Sequence, residues 1–207
     1  SVIYSNPNNP TWICFTNEEL QIIAELADKY DVIVMEDLAY FAMDFRQDLS
    51  QPGQPPYQPS IANYTDNYVL FISASKIFSY AGQRIAVVVM SDKLYHRNYP
   101  NLEGRFAIKG FGNAVIYRVL YALSSGVAHS VQFAMAAMLK GANDGTYRFV
   151  DDVKSYGDKA TVMKKLFTDN GFEILYDKDV DQLLADGFYF TVTYPGMKAG
   201  DLLHNLL

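Results

Sequence analysis

Residues 16–37 read TNEELQIIAELADKYDVIVMED, and this stretch carries the grammar of the fold. Thr16 followed by Glu19 is a capping box, in which each side chain satisfies the other's backbone amide at a helix start. Leu20, Ile23, Ala24 and Ala27 then recur on one helical face up to about Tyr30. The apolar run Val32-Ile33-Val34-Met35 follows and ends in Glu36-Asp37. Ahead of the helix, residues 2–4 form a short apolar run, closed by a turn-rich segment whose Pro7 and Pro10 forbid a helix or a central strand. Strand, loop, helix, strand is a βαβ unit, which implies a parallel pair with the helix packed on the sheet.

Outward from this unit, residues 46–67 turn polar and rich in proline and glutamine, with Pro52, Pro55, Pro56 and Pro59. A loop this long in a compact domain is ordinarily a lid, a binding segment or a partner contact. Apolar strands resume at residues 69–72 and again at 85–90, IAVVVM, a β-branched run typical of a strand covered on both faces. Beyond residue 91 helical spacing dominates, over 106–123, 127–139 and 146–169. Residues 172–176 and 187–193 are expected as strands joined by an acidic turn. The expected fold class is therefore α/β, with a large-domain sheet and flanking helices over residues 1–145 and the start of a smaller, truncated α+β domain over 146–207.

Half of the 207 residues are hydrophobic and 19% are charged, so a packed core is expected rather than disorder. The formal net charge of -6 offers no broad basic face, which argues against nucleic acid as a partner. Cys14 is the only cysteine, which excludes an internal disulfide and a cysteine-built zinc site. His96, His129 and His204 lie far apart, so no metal centre is expected. No apolar run has the length of a membrane span, and the default compartment is a reducing cytoplasm.

The chemistry concentrates just past three expected strands: Asn9; Asp37 with Tyr40; and Ser73-Ala74-Ser75-Lys76, with Arg84 eight residues further on. In an open α/β sheet, residues past the carboxyl ends of parallel strands converge on one crevice. Each of these residues alone has an ordinary explanation: a lone lysine is usually solvated, and an aspartate before a turn is usually a cap. Together they suit a phosphorylated aldehyde cofactor. Lys76 can form a Schiff base, and a carboxylate such as Asp37 can keep a pyridine nitrogen protonated. The Asn9 amide and Tyr40 phenol can donate to a ring oxygen, while Arg84, Ser73 and Ser75 suit a phosphate.

The order Asn9-Pro10-Thr11, Asp37-Leu38-Ala39-Tyr40, Ser73-Ala74-Ser75-Lys76 and Arg84 resembles the fold-type I aminotransferase class I/II family, whose pattern reads NPTG, DxAY, SxSK and a later arginine. The resemblance implies a PLP-transferase-like fold and pyridoxal 5'-phosphate (PLP) as cofactor. It implies that Asn9 and Tyr40 bond the cofactor's phenolic oxygen, Asp37 its pyridine nitrogen, and Ser73 with Arg84 its phosphate; Ser75 matches the pattern, and Lys76 is the anchoring catalytic residue. It also implies a homodimer that transfers an amino group between an amino acid and a 2-oxo acid. The same cofactor motifs serve carbon-sulfur lyases, cyclopropane-forming synthases and the noncatalytic aminotransferase-like part of some regulators, so those outcomes stay open here.

Two departures from the pattern stand out. Trp12 occupies the place of the family's glycine, so the turn after Thr11 is expected to avoid a positive φ or take another shape. No counterpart of the family's glycine-rich phosphate segment, ring-stacking aromatic residue or late carboxylate-binding arginine is visible. The chain thus reads as a piece lacking an N-terminal part and a C-terminal end, and in isolation is expected to be inactive.

Overall fold

The computed structural model describes residues 1–49, 51–184 and 187–207. Its main sheet has four strands in the order β1 (Val2–Ser5), β2 (Val34–Leu38), β3 (Tyr68–Ser73) and β4 (Ala86–Met90). The first three are parallel, with Ser5 opposite Asp37 and Asp37 opposite Phe71; β4 runs antiparallel to β3, with Ser73 opposite Ala86. Three carboxyl ends and the amino end of β4 therefore share one edge of the sheet.

Helix α1 (Asn17–Lys29) connects β1 to β2 and starts at the expected capping box: Thr16 N donates to Glu19 Oε2 at 2.8 Å and Glu19 N to Thr16 Oγ1 at 3.2 Å. It buries Leu20, Ala24 and Ala27 against Val34, Leu38 and Leu70, the stripe its periodicity foretold. Below this cluster the fully buried Glu36 receives Ser60 Oγ at 2.7 Å, Ile61 N at 3.2 Å, Asn6 Nδ2 at 3.3 Å and the Tyr4 hydroxyl at 3.4 Å. The carboxylate thereby ties β1 and β2 to the end of the proline-rich loop. That loop is a series of turns ending in a 3-10 turn at Ile61–Asn63, and it is anchored by the buried Leu49 and Ile61.

After β4 come α2 (Asp92–Tyr95), α3 (Pro100–Phe106), then α4 (Phe111–Asn113) and α5 (Tyr121–Ser124) separated by a π-helical stretch at Ala114–Leu120. The single helix expected over 106–123 is broken because Ala107 turns left-handed, at φ 56°, and ends α3. Helices α6 (His129–Asn143) and α7 (Phe149–Asp169) pack Met135, Phe149, Val150 and Val153 onto Trp12, Tyr40, Met43 and Ile77, forming the second core cluster at the carboxyl edge of the sheet.

Beyond α7, β5 (Glu173–Ile174) pairs antiparallel with β8 (Val192–Thr193), a short hairpin joins β6 (Lys178–Asp179) to β7 (Gln182–Leu183), and α8 (Ala199–Leu206) follows. The acidic turn expected between the last strands includes Asp186, which lies outside the described residues.

One expectation is corrected. The β-branched run 85–90 does not form a strand covered on both faces: β4 is an edge strand of the described sheet, with Ala86 exposed and the remainder half-buried. An apolar groove of about 490 Å³, lined by Val87, Ile116, Leu120, Met135 and Leu139 among others, runs beside it. Among the described residues no helix is long and apolar enough to cross a membrane, and no His/Cys/Asp/Glu group could hold a metal ion.

Candidate active site

The loop after β1 is closed by its own asparagine and threonine. Asn8 N donates to Ile13 O at 2.9 Å, Trp12 N to Asn8 O at 2.7 Å, and Thr11 Oγ1 to Asn8 Oδ1 at 2.8 Å. This closure projects Asn9 to the surface, where its Nδ2 donates to the Tyr40 hydroxyl at 3.2 Å. Asp37, next to last in β2, is half-buried, and its Oδ1 accepts from Ala39 N at 3.0 Å. That bond closes a turn rather than capping a helix, because residues 39–42 are turns.

Past β3, Ser73 Oγ accepts from Ser75 N at 3.1 Å, while Ala74 and Ile77 are fully buried on either side of Lys76. These anchors turn Lys76 outward, half-buried, with its Nζ 5.6 Å from the centroid of the Phe188 ring. Arg84 reaches the same edge through the bond from Ala74 N to Ile85 O, 3.2 Å. It is exposed, its backbone is left-handed at φ 54°, and its Nη1 donates to Ala81 O at 2.8 Å. The carboxyl edge thus gathers all seven expected residues. Direct side-chain contact joins Asn9 to Tyr40, and Arg84 spends its guanidinium on its own turn.

An aromatic wall, which no motif in the sequence marks, surrounds the site. Tyr40 packs on Trp12, Tyr189 and Phe188 with ring centroids at 5.0, 5.7 and 6.3 Å, and Phe188 stacks on Tyr156 at 4.3 Å. Phe188 therefore neighbours both the Tyr40 ring and the Lys76 amine. Burial, hydrogen bonding with Tyr189 and the nearby Asp37 charge push the Tyr40 phenol up to about 12, against the opposing donation from Asn9. It keeps its proton at neutral pH and can donate to an oxygen while Asn9 orients it.

Trp12 answers the question left by its replacement of glycine. It takes the left-handed conformation after all, at φ 61°, and is 1% exposed. An L-residue there costs about 1–2 kcal/mol, an expense met by burying the indole in the aromatic cluster.

The donor set fits a planar, phosphorylated aldehyde: an amine and a carboxylate at neighbouring strand ends, a protonated phenol oriented by an amide, and two hydroxyls beside the amine. An open α/β sheet arranged in this way is a PLP-transferase scaffold of fold type I. The chain belongs to the aminotransferase class I and II family, whose model matches residues 1–179.

It is 24% identical over 184 residues to a probable aspartate aminotransferase of Methanocaldococcus jannaschii, covering 80% of this chain and 46% of that protein. It is 29% identical to the putative aminotransferase AatC of Rhizobium meliloti, covering 84% of this chain and 36% of the relative. Among solved structures, an L,L-diaminopimelate aminotransferase from Chlamydomonas reinhardtii superposes with a TM-score of 0.68 at 22% identity, over 99% of this chain and 45% of that one. A PLP-bound putative aminotransferase from Clostridium difficile 630 matches with a TM-score of 0.59 at 16% identity, over 99% of this chain and 46% of the other. The chain thus spans about half the length of these relatives or less.

Proposed function

We propose that the protein works as a PLP-dependent aminotransferase, moving an amino group between an amino acid and a 2-oxo acid. The observation that carries this reading is the Asn9–Tyr40 bond of 3.2 Å, at the sheet edge shared by Asp37 and Lys76. When bound, PLP supplies an aldehyde that captures amines and a protonated ring that withdraws electrons from the substrate's α-carbon. Lys76 would hold that aldehyde through its amine and would move a proton at the substrate's α-carbon. Asp37 holds the proton on the ring nitrogen; a half-buried carboxylate does this better than a solvated one because its field is less screened. Asn9 and Tyr40 orient the ring through its phenolic oxygen. Ser73 and Ser75 bind phosphate, joined by Arg84 once its guanidinium leaves the Ala81 carbonyl.

We also infer that residues 1–145 belong to a large cofactor-binding domain and 146–207 begin a small one, that the working form is a homodimer, and that it resides in the cytoplasm. The family membership and the substrate chemistry of amino-group transfer support these readings.

The test is to add PLP to the protein and look for a visible absorption band that borohydride bleaches, with the reduced adduct mapped by peptide mass to Lys76. Incubation with paired amino acids and 2-oxo acids then reads amino-group transfer. Persistence of the same reducible adduct in Lys76→Ala would overturn the assignment of the anchor.

A further inference from the structure

Trp12 combines two features that each cost stability with a third that fixes its place. Its backbone is left-handed, at φ 61°. Its indole Nε1 is buried and has no hydrogen-bond partner among the described residues. Its ring is pressed so closely on Gly187 that a Cβ there would lie 2.0 Å from Cζ2 and 2.6 Å from Nε1. Outliers of this kind persist where the surroundings over-determine them, and they concentrate at functional sites. What the indole gains in return is contact with Tyr40 at 5.0 Å and Tyr189 at 6.2 Å. Tyr189 in turn meets Tyr40 edge-on at 5.7 Å, and the adjacent Phe188 lies 5.6 Å from Lys76 Nζ. One side chain, at the position where the family's pattern has glycine, therefore touches both the Asn9-bonded phenol and the distant segment that walls the Lys76 amine.

We infer that Trp12 is a positioning residue: its indole, seated on Gly187, clamps the 187–189 segment against Tyr40 and so fixes the phenol and the Phe188 ring around the cofactor-anchoring lysine. The inference rests on the PLP reading for its consequence, but the clamp itself is a property of the protein alone. Gly187 is part of the device, since any side chain there collides with the six-membered ring and the nitrogen of the indole. A leucine at position 12 ends short of the indole atoms that collide, Cζ2, Cε2 and Nε1, so it accommodates a methyl group at 187 but gives up the indole's packing on Tyr40 and Tyr189.

The test compares the parent, Trp12→Leu, Gly187→Ala and the double variant by PLP affinity and by the pH midpoint of the bound-PLP absorption band. Trp12→Leu and Gly187→Ala are each expected to weaken PLP about tenfold or more and to move the pH midpoint. The double variant is expected to bind no more weakly than the weaker of the two single variants, because the methyl group at 187 then meets no indole. Parent-like binding by either single variant, or a double variant weakened by the product of the two, overturns the clamp.

Trp12 is also the only tryptophan, so the clamp can be read without cofactor. Acrylamide is expected to quench its emission weakly in the parent and at least about twofold more strongly in Gly187→Ala, because displacing the indole exposes it to solvent. Equal quenching in the two proteins overturns the clamp. A parent that shows this contrast yet takes up no PLP instead sinks the cofactor reading and leaves the clamp standing.

Discussion

The ammonium of Lys76 lies 5.6 Å from the centroid of Phe188, a residue 112 positions later in the chain, and the same ring stacks on Tyr156 at 4.3 Å. The amine that defines the candidate site is therefore backed by an aromatic face from the C-terminal segment.

Replacing Phe188 with leucine is expected to keep most of the apolar volume and lose the ring face towards both Lys76 and Tyr156, costing about 1–2 kcal/mol. Phe188→Ala also loses the volume that leucine keeps and is expected to cost about 3 kcal/mol. Urea unfolding separates the two; equal losses would assign the contribution to the ring face and not to volume.

Tyr40→Phe removes the donor that Asn9 orients while leaving the aromatic packing in place. A lost hydrogen bond of about 1–1.5 kcal/mol corresponds to roughly a tenfold weaker PLP affinity. Because the phenol is held up to about 12, the parent's affinity is expected to show no loss from Tyr40 ionisation between pH 7 and 9. An alkaline limb in that range which Tyr40→Phe abolishes would contradict the assignment.

Glu36 gives a pH signature of its own. Burial raises its pKa above the ordinary 4.5, against the four hydrogen bonds it accepts. The folded state therefore holds the proton more tightly than the unfolded chain, so the Glu36 contribution is most favourable below pH 4.5 and declines as pH rises through the elevated folded value. Glu36→Gln is expected to flatten that slope. It also places an amide where Ser60, Ile61, Asn6 and Tyr4 all donate, at a cost of about 2–3 kcal/mol. Chemical denaturation across pH 4 to 7 checks both expectations.

The capping box of α1 should be worth about 1 kcal/mol to each partner's removal. Thr16→Ala and Glu19→Ala are each expected to lower the urea midpoint, with the double variant costing less than the sum because the two bonds are reciprocal. Strict additivity would show that the two caps act independently.

Local patterns made much of this molecule legible. The helix over 17–29 starts and buries as its capping box and apolar stripe require, and β1, β2 and β3 pair in parallel as a βαβ grammar demands. Loops after parallel strands meet at one edge, so the gathering of Asn9, Asp37, Tyr40, Ser73, Ser75, Lys76 and Arg84 followed from strand order. The cover on β4 was misjudged because a β-branched run reports what a strand tolerates on its faces, not which neighbours reach it. The conformation of Trp12 was hidden for a related reason: steric preference disfavours a left-handed tryptophan, and packing on Tyr40 outweighs that preference.

By itself, then, the sequence determined the opening βαβ unit, the edge at which the chemistry collects, and the family whose motifs occur in that order. These depend on short-range periodicity, caps and turns, whose energies are decided within a few residues. Only the tertiary structure decided that Phe188 backs Lys76, that Gly187 receives the Trp12 indole, and that Arg84 bonds its own turn. Contacts between distant segments depend on how whole side-chain volumes fill one shared space, and no local pattern in the chain encodes that outcome.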